Sequence, residues 1–223
     1  GRVLTKRVPD VMAVQKYDIR RTVNSAGEFE ERWWSQKNCP VVGPGGEVAY
    51  IIHAVEDVTE KHHLEEERQL FAALVENSSD FIGIADPSGK PVYLNPAGRR
   101  MVGLSADYPI ENTQIHEYYS VDQRAFASDV IIPAMIEQGR WHGETYFRHW
   151  QTQESIPVSD QHLMIREPVS GRLLGMGTVT RDISDVRRSQ EQLRQSDERY
   201  ELALRGADLA AWDWNIQTGE VVF

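Results

Sequence analysis

Histidine, cysteine and carboxylate side chains are where chemistry would have to start in this sequence, and their spacings offer little of it. His62 and His63 precede the acidic run Glu65-Glu66-Glu67 on a predicted helix, where an imidazole could accept a phosphoryl group. The surrounding Thr59-Glu60-Lys61-His62-His63-Leu64 does not resemble a phosphoacceptor box, and a solvated helix face is the simpler reading. His142 and His149 fall on one predicted strand at an odd spacing, so alternation turns them to opposite sides of a sheet and away from a shared metal. The one cysteine, Cys39, excludes an internal disulfide and any multi-cysteine zinc site. There is no glycine-rich phosphate loop, no Gly-x-Ser-x-Gly elbow, no kinase motif set, and neither the asparagine nor the glycine boxes of a histidine-kinase ATP site. The chain is expected to carry no catalytic centre of its own.

Two aspartates are placed differently. Asp57 and Asp182 each sit where a predicted strand hands over to a predicted helix. A carboxylate there can cap the helix and pair with a core cation, so a small shift of the sheet would change the helix with it. An ordinary N-cap is the plainer alternative, and both can hold at once.

The chain of 223 residues has 34 acidic against 24 basic side chains, a net charge of −10. That balance argues against a nucleic-acid binder, which needs a basic face to displace counterions. Its apolar stretches fall far short of the ~20 residues that cross a bilayer, so no membrane span is expected. A cytoplasmic location fits the single cysteine, while a parent protein could still be membrane-anchored. The sequence starts at Gly1 and stops after Val221-Val222-Phe223, and both ends read as cuts through a longer protein.

The elements that would position these residues are organised by an internal repeat. Gly46-Glu47-Val48-Ala49-Tyr50-Ile51-Ile52, closing in Glu56-Asp57-Val58-Thr59-Glu60, recurs as Gly171-Arg172-Leu173-Leu174-Gly175-Met176-Gly177, closing in Arg181-Asp182-Ile183-Ser184-Asp185. Aligning Asp57 with Asp182 needs no gap. A second similarity links Asp80-Phe81-Ile82-Gly83-Ile84-Ala85 to Asp208-Leu209-Ala210-Ala211-Trp212-Asp213. The chain therefore reads as the end of one unit, one complete unit and the start of a third.

Within the complete unit, Phe81 to Ala85 and Pro91 to Leu94 read as strands about a turn, and Asn95-Pro96 starts a short helix. Ser120 and Gln123 form a capping-box pattern for a longer helix with Val121, Ala125, Phe126 and Val130 on its apolar side. Pro133 should kink or restart that helix near Ile132. Trp141 to Trp150, Ile156 to Arg166 and Leu173 to Thr180 read as three closing strands. The order predicts an α+β fold, a five-stranded antiparallel sheet with helices on one face.

These residues resemble a PAS domain. The resemblance rests on Asp80-Phe81-Ile82-Gly83-Ile84-Ala85-Asp86, Tyr93-Leu94-Asn95-Pro96-Ala97, Gly139-Arg140-Trp141-His142-Gly143-Glu144 and Thr180-Arg181-Asp182-Ile183-Ser184. The last is similar to the family's Asp-Ile-Thr signature, with Ser184 in place of threonine, and Asp57-Val58-Thr59-Glu60 is closer still. It implies the last three strands of a preceding PAS domain at 1–60, a linker helix at 61–79, a complete domain at 80–185, a second linker helix at 186–207 and the start of a following domain at 208–223. Tandem arrays of this kind resemble the sensory input region of bacterial sensor histidine kinases in two-component systems, and less often that of cyclic-dinucleotide enzymes.

The resemblance implies a signal passed through the flanking amphipathic helices, with Asp57, Thr59, Asp182 and Ser184 at the junctions. After Asp182 the positions Ile183, Val186, Gln190, Leu193, Asp197, Tyr200 and Leu204 alternate by three and four, which is heptad spacing. Val186, Leu193 and Tyr200 would then lie on the seam of a homodimer. A helix packed back on its own domain, or a pure dimerisation scaffold, remains open. A small-molecule pocket would lie between sheet and helices, lined by Ile84, Phe126, Val130, Trp141, Thr145 and Phe147, residues that would equally fill a core. Cofactor motifs are lacking. Haem would need a histidine inside the helix that begins at Val121, which holds none, and His116 comes just before it. Flavin photochemistry would need a helical Gly-x-Asn-Cys-Arg-Phe-Leu-Gln motif, whereas Asn38-Cys39-Pro40 lies in a strand-like region.

Overall fold

A computed structural model of the chain describes residues 2–20, 29–206, 213–214, 216–218 and 221–222. The proposed similarity of 208–212 to the start of a PAS unit lies outside the described residues. The chain divides into two compact units, residues 1–74 and 75–223.

The first unit opens with helix α1 (Arg2–Lys6), which buries Val3. Its strands are β1 (Asp10–Val11), β2 (Gln15–Lys16), β3 (Ile19–Arg20), β4 (Phe29–Glu30), β5 (Trp33–Val42) and β6 (Val48–Asp57), followed by helix α2 (Thr59–Glu76). β5 pairs with β6 on one side and with β1 and β2, one after the other, on the other side, all antiparallel. Among the described residues, β3 and β4 pair only with each other.

The second unit contains β7 (Phe81–Ala85), β8 (Pro91–Leu94), α3 (Pro96–Met101), a helical segment through 121–138, β9 (Arg140–Arg148), β10 (Ser155–Arg166), β11 (Leu173–Asp182) and α6 (Ser184–Gly206). Its five strands form one antiparallel sheet in the order β8-β7-β11-β10-β9. Phe81, Phe147 and Val158 from the sheet bury themselves against Val102, Ile131 and Met135 from the helical layer. The α+β expectation of five strands and a helical layer thus holds. Farther along, β12 (Asp213–Trp214) and β13 (Val221–Val222) form a hairpin.

The internal repeat is visible in the ladders. Trp34 pairs with Asp57 as Val158 pairs with Asp182, and in both ladders the register slips after the residue seven positions further along the first strand, Val41 or Ile165. In each hairpin the extra residue bends and twists the strand at the matching position.

Two expectations need correction. The stretch after Ser120 is not one α-helix. It runs as a 3₁₀ turn (Val121–Gln123), a single α turn, α4 (Arg124–Phe126), a π turn (Ala127–Ile131) and then α5 (Ile132–Gln138). Pro133 has no N–H to donate back along the helix, and the wider turn just before it absorbs that loss. Ser120 makes no side-chain cap here; Gln123 instead accepts from Thr145 Oγ1 at 3.2 Å. The strand expected to reach Trp150 ends at Arg148, because Trp150 N–H turns to the carbonyl of Val102 at 2.8 Å. His149 therefore lies past the strand, its ring against Gly103, where a φ of +72° and the lack of a Cβ leave it room.

Asn95 holds the start of the second unit together. It is fully buried, and its amide uses every hydrogen-bonding site it has. Oδ1 accepts from Ile82 N at 3.0 Å and from Gly98 N at 2.8 Å, the latter capping α3. Nδ2 donates to Asp80 O at 2.9 Å and to Val75 O, in the last turn of α2, at 3.1 Å. Replacing Asn95 with alanine should lower the stability of this unit by about 3 kcal/mol, a lost cap plus stranded backbone groups. Urea unfolding followed by tryptophan fluorescence checks it; a loss under about 1 kcal/mol would show that water substitutes for the amide.

Candidate functional site

Between the inner face of the five-stranded sheet and its helical layer lies a cavity of about 80 Å³. Its walls are mainly apolar, with Phe81 and Ala85 from β7, Ile131 and Met135 from the helices, Phe147 from β9 and Met176 from β11. One end is polar, where Tyr119, His162 and Thr178 meet; His116 also lines the cavity, from the 3₁₀ turn Ile115–Tyr118.

The polar end is organised by a carboxylate. Asp160 on β10 is fully buried, and the β-ladder sets Thr180 opposite it and Thr178 opposite His162, so all four side chains stand on the inner face. Asp160 Oδ1 accepts from Thr180 Oγ1 at 2.6 Å and Thr178 Oγ1 at 3.1 Å. Oδ2 accepts from Tyr119 OH at 3.1 Å and from His162 Nε2 at 2.7 Å. A carboxylate offers acceptors only, so Nε2 is the protonated nitrogen of the ring, and it also lies 2.8 Å from the Tyr119 oxygen. Burial, and then the charge of Asp160, push the Tyr119 hydroxyl well above the usual tyrosine value, which keeps it a donor.

Of the residues expected to line a pocket, the cavity brings two together. Phe147 is in its wall, and Ile84 borders it through a strand whose inward positions are Phe81, Gly83 and Ala85. Thr145 is buried but turned to Gln123. Trp141 packs edge-on against Phe126 and tilted against His162, beside the cavity rather than in its wall. Phe126 and Val130 are 36% and 42% exposed, whereas Ala127 and Ile131 are 3% and 2% exposed. The mixed helical turns change the angle per residue, so the inward pair falls one position later than a regular helix would place it. Tyr119, Asp160, His162, Thr178 and Thr180 were not among the expected residues. The signal for two of them was there: Val158, Asp160 and His162 alternate on one face of a strand that reads as half-buried.

The strand-to-helix junctions are built alike in the two units. Asp57 Oδ1 accepts from Thr59 N at 3.0 Å, and Asp182 Oδ1 from Ser184 N at 2.7 Å. Val58 N bonds Trp33 O, and Ile183 N bonds Pro157 O. A cation partner differs between them. Arg32 reaches Asp57 Oδ2 at 2.6 Å, and together with the stronger bonds from Thr59 it holds this carboxyl below the usual aspartate range. Arg181 next to Asp182 instead grips Asp80 with two bonds, at 2.9 and 3.0 Å, and depresses that carboxyl. This pair joins the residue before β7 to the end of β11. Arg187 fastens the first turn of α6 to β9, reaching Glu144 and Tyr146 at 2.5 Å each. Beyond that turn, Val186, Leu193 and Tyr200 are 54%, 64% and 60% exposed, so α6 does not bury its apolar stripe on its own domain.

Tyr119→Phe should cost about 2 kcal/mol at neutral pH, the worth of a hydrogen bond to a charged group. The raised hydroxyl makes a stabilising contribution that is fully present below the ordinary tyrosine value of 10.0 and lost as pH rises through the folded one. Thermal unfolding from about pH 7 to about pH 11 should therefore show wild type converging on Tyr119→Phe at the alkaline end; parallel curves would remove Asp160–Tyr119 as the cause.

No curated protein matches the chain by sequence. Among solved structures, a PAS domain from Colwellia psychrerythraea is similar at 18% identity and a TM-score of 0.49, covering 53% of this chain and 98% of that one. A PAS domain from a two-component sensor histidine kinase gives 16% identity and a TM-score of 0.43, with the same coverage. A sensory box histidine kinase/response regulator from Burkholderia thailandensis E264 gives 20% and 0.42, covering 59% and 97%. The sequence profile of the PAS fold matches residues 69–183, more than half of the chain and every strand of the five-stranded sheet. The chain belongs to the PAS family.

Proposed function

We propose that this chain is a sensory and signal-relay region of a multi-domain bacterial signalling protein, with a sensor histidine kinase as the parent and no catalytic activity in this segment. The observation that carries the reading is the continuity of the cavity wall with the outgoing helix. β11 lines the cavity with Met176, Gly177 and Thr178, and the same strand ends at Asp182, the cap of α6. A change in the cavity therefore has a rigid path to a helix terminus.

The tandem reading is supported by the matching ladders and junctions of the two units. In the second unit Met176–Thr180 pair with β7. The corresponding edge of β6, residues 51–55, pairs with nothing among the described residues. A last-three-strands fragment of a PAS unit, at 1–60, would leave that edge free for its own first strand. Homodimerisation through the linker helices would cover Val186, Leu193 and Tyr200, in a cytoplasmic setting; Leu64, Phe71 and Leu74 on α2 are likewise exposed. No helix among the described residues is long and apolar enough to cross a membrane. A dimerisation scaffold without a ligand is the second reading, favoured by the small volume of the cavity.

Leu193→Glu should dissociate dimers while leaving circular dichroism of the sheet unchanged; an unaltered mass by light scattering would reject the seam. Asp182→Ala should cost about 1 kcal/mol of helix stability and uncouple output in the parent protein. Normal signalling by that variant would remove the junction from the relay.

A further inference from the structure

The polar inventory of the cavity is one-sided. Tyr119 and Thr178 spend their hydroxyl protons on Asp160. Tyr93 donates to Glu76 Oε1 at 2.6 Å. Thr113 donates to Ile110 O, so the Tyr118 hydroxyl is the donor in its 3.1 Å contact with Thr113. With Nε2–H of His162 committed to Asp160 and Tyr119, Nδ1 of the neutral ring is a lone pair, and it makes no hydrogen bond among the described residues. Apart from the exposed imidazole of His116, which keeps one N–H of its own, what remains on the walls is a set of lone pairs, and the saturated carboxylate of Asp160 lies just behind them.

Resting on the ligand-sensing reading above, we propose that this cavity selects a small uncharged hydrogen-bond donor, an alcohol of about four heavy atoms, whose hydroxyl donates to Nδ1 of His162. An acceptor-only molecule would bury an oxygen facing lone pairs, and an anion would in addition approach Asp160, so both are disfavoured. The size follows from volume. A cavity of ~150 Å³ holds benzene, and this one is about 80 Å³. The flexible side chains of Met135 and Met176 in the wall provide some slack. His116 is exposed and keeps its water on both ring nitrogens, so it is the weaker partner of the two imidazoles, as donor and as acceptor.

The test uses three probes of nearly equal shape: 2-propanol, acetone and acetate. Each is titrated into the 223-residue chain with methyl-labelled methionine, and NMR follows Met135 and Met176. Expected are saturable shifts with 2-propanol, binding at least about tenfold weaker for acetone, and no saturable shift with acetate. His162→Phe, and His162→Gln, which retains a donor toward Asp160, should bring 2-propanol down to the acetone level without changing acetone. Acetone binding as tightly as 2-propanol, or a preference that survives both His162 variants, would overturn the donor assignment while leaving a ligand cavity in place. Absence of saturable shifts with all three probes would overturn the ligand-sensing reading itself.

Discussion

A buried primary amide has four hydrogen-bonding positions and no tolerance for leaving them open. Asn95 meets that constraint by binding backbone groups of four segments at once: the end of α2, the residue before β7, the second residue of β7 and the first turn of α3. The position of β7 in the sheet, and hence the wall it gives the cavity, depends on this one side chain. It also fastens the helix that arrives from upstream directly to the first strand of the domain. Asp80, whose carbonyl belongs to the same node, carries the carboxylate that Arg181 grips at the end of β11. Incoming and outgoing connections of the domain thus meet at one short stretch of chain.

The second constraint is a buried charge. A carboxylate removed from water is tolerable only when its lone pairs are filled, and Asp160 is filled by donors from three elements, β10, β11 and the segment holding Tyr119. Such a network is strong when complete and costly when any member moves. A molecule that bonds to any member of such a network disturbs the rest. The same strand then ends in the helix cap at Asp182. Arg187 gives α6 a second anchor on β9, the strand that contributes Phe147 to the cavity.

The sequence by itself was enough for the succession of strands and helices along the chain, the turn between Phe81 and Leu94, the cap at Asn95 and both Asp junctions. Each of these is local, written in a period of two, a turn residue or a capping side chain within a few positions of its partner. On β9, simple alternation turns Phe147 to the inner face, where it lines the cavity. Phe126 and Val130 were misplaced because a π turn ahead of Pro133 rotates the helix, and a regular period cannot anticipate it. The tertiary structure alone decided that Asp160, His162, Thr178, Thr180 and Tyr119 form one network and that Asp80 pairs with Arg181. Those contacts join residues up to about a hundred positions apart, and they depend on strand register, which is settled by the burial of whole faces rather than by any neighbouring residue.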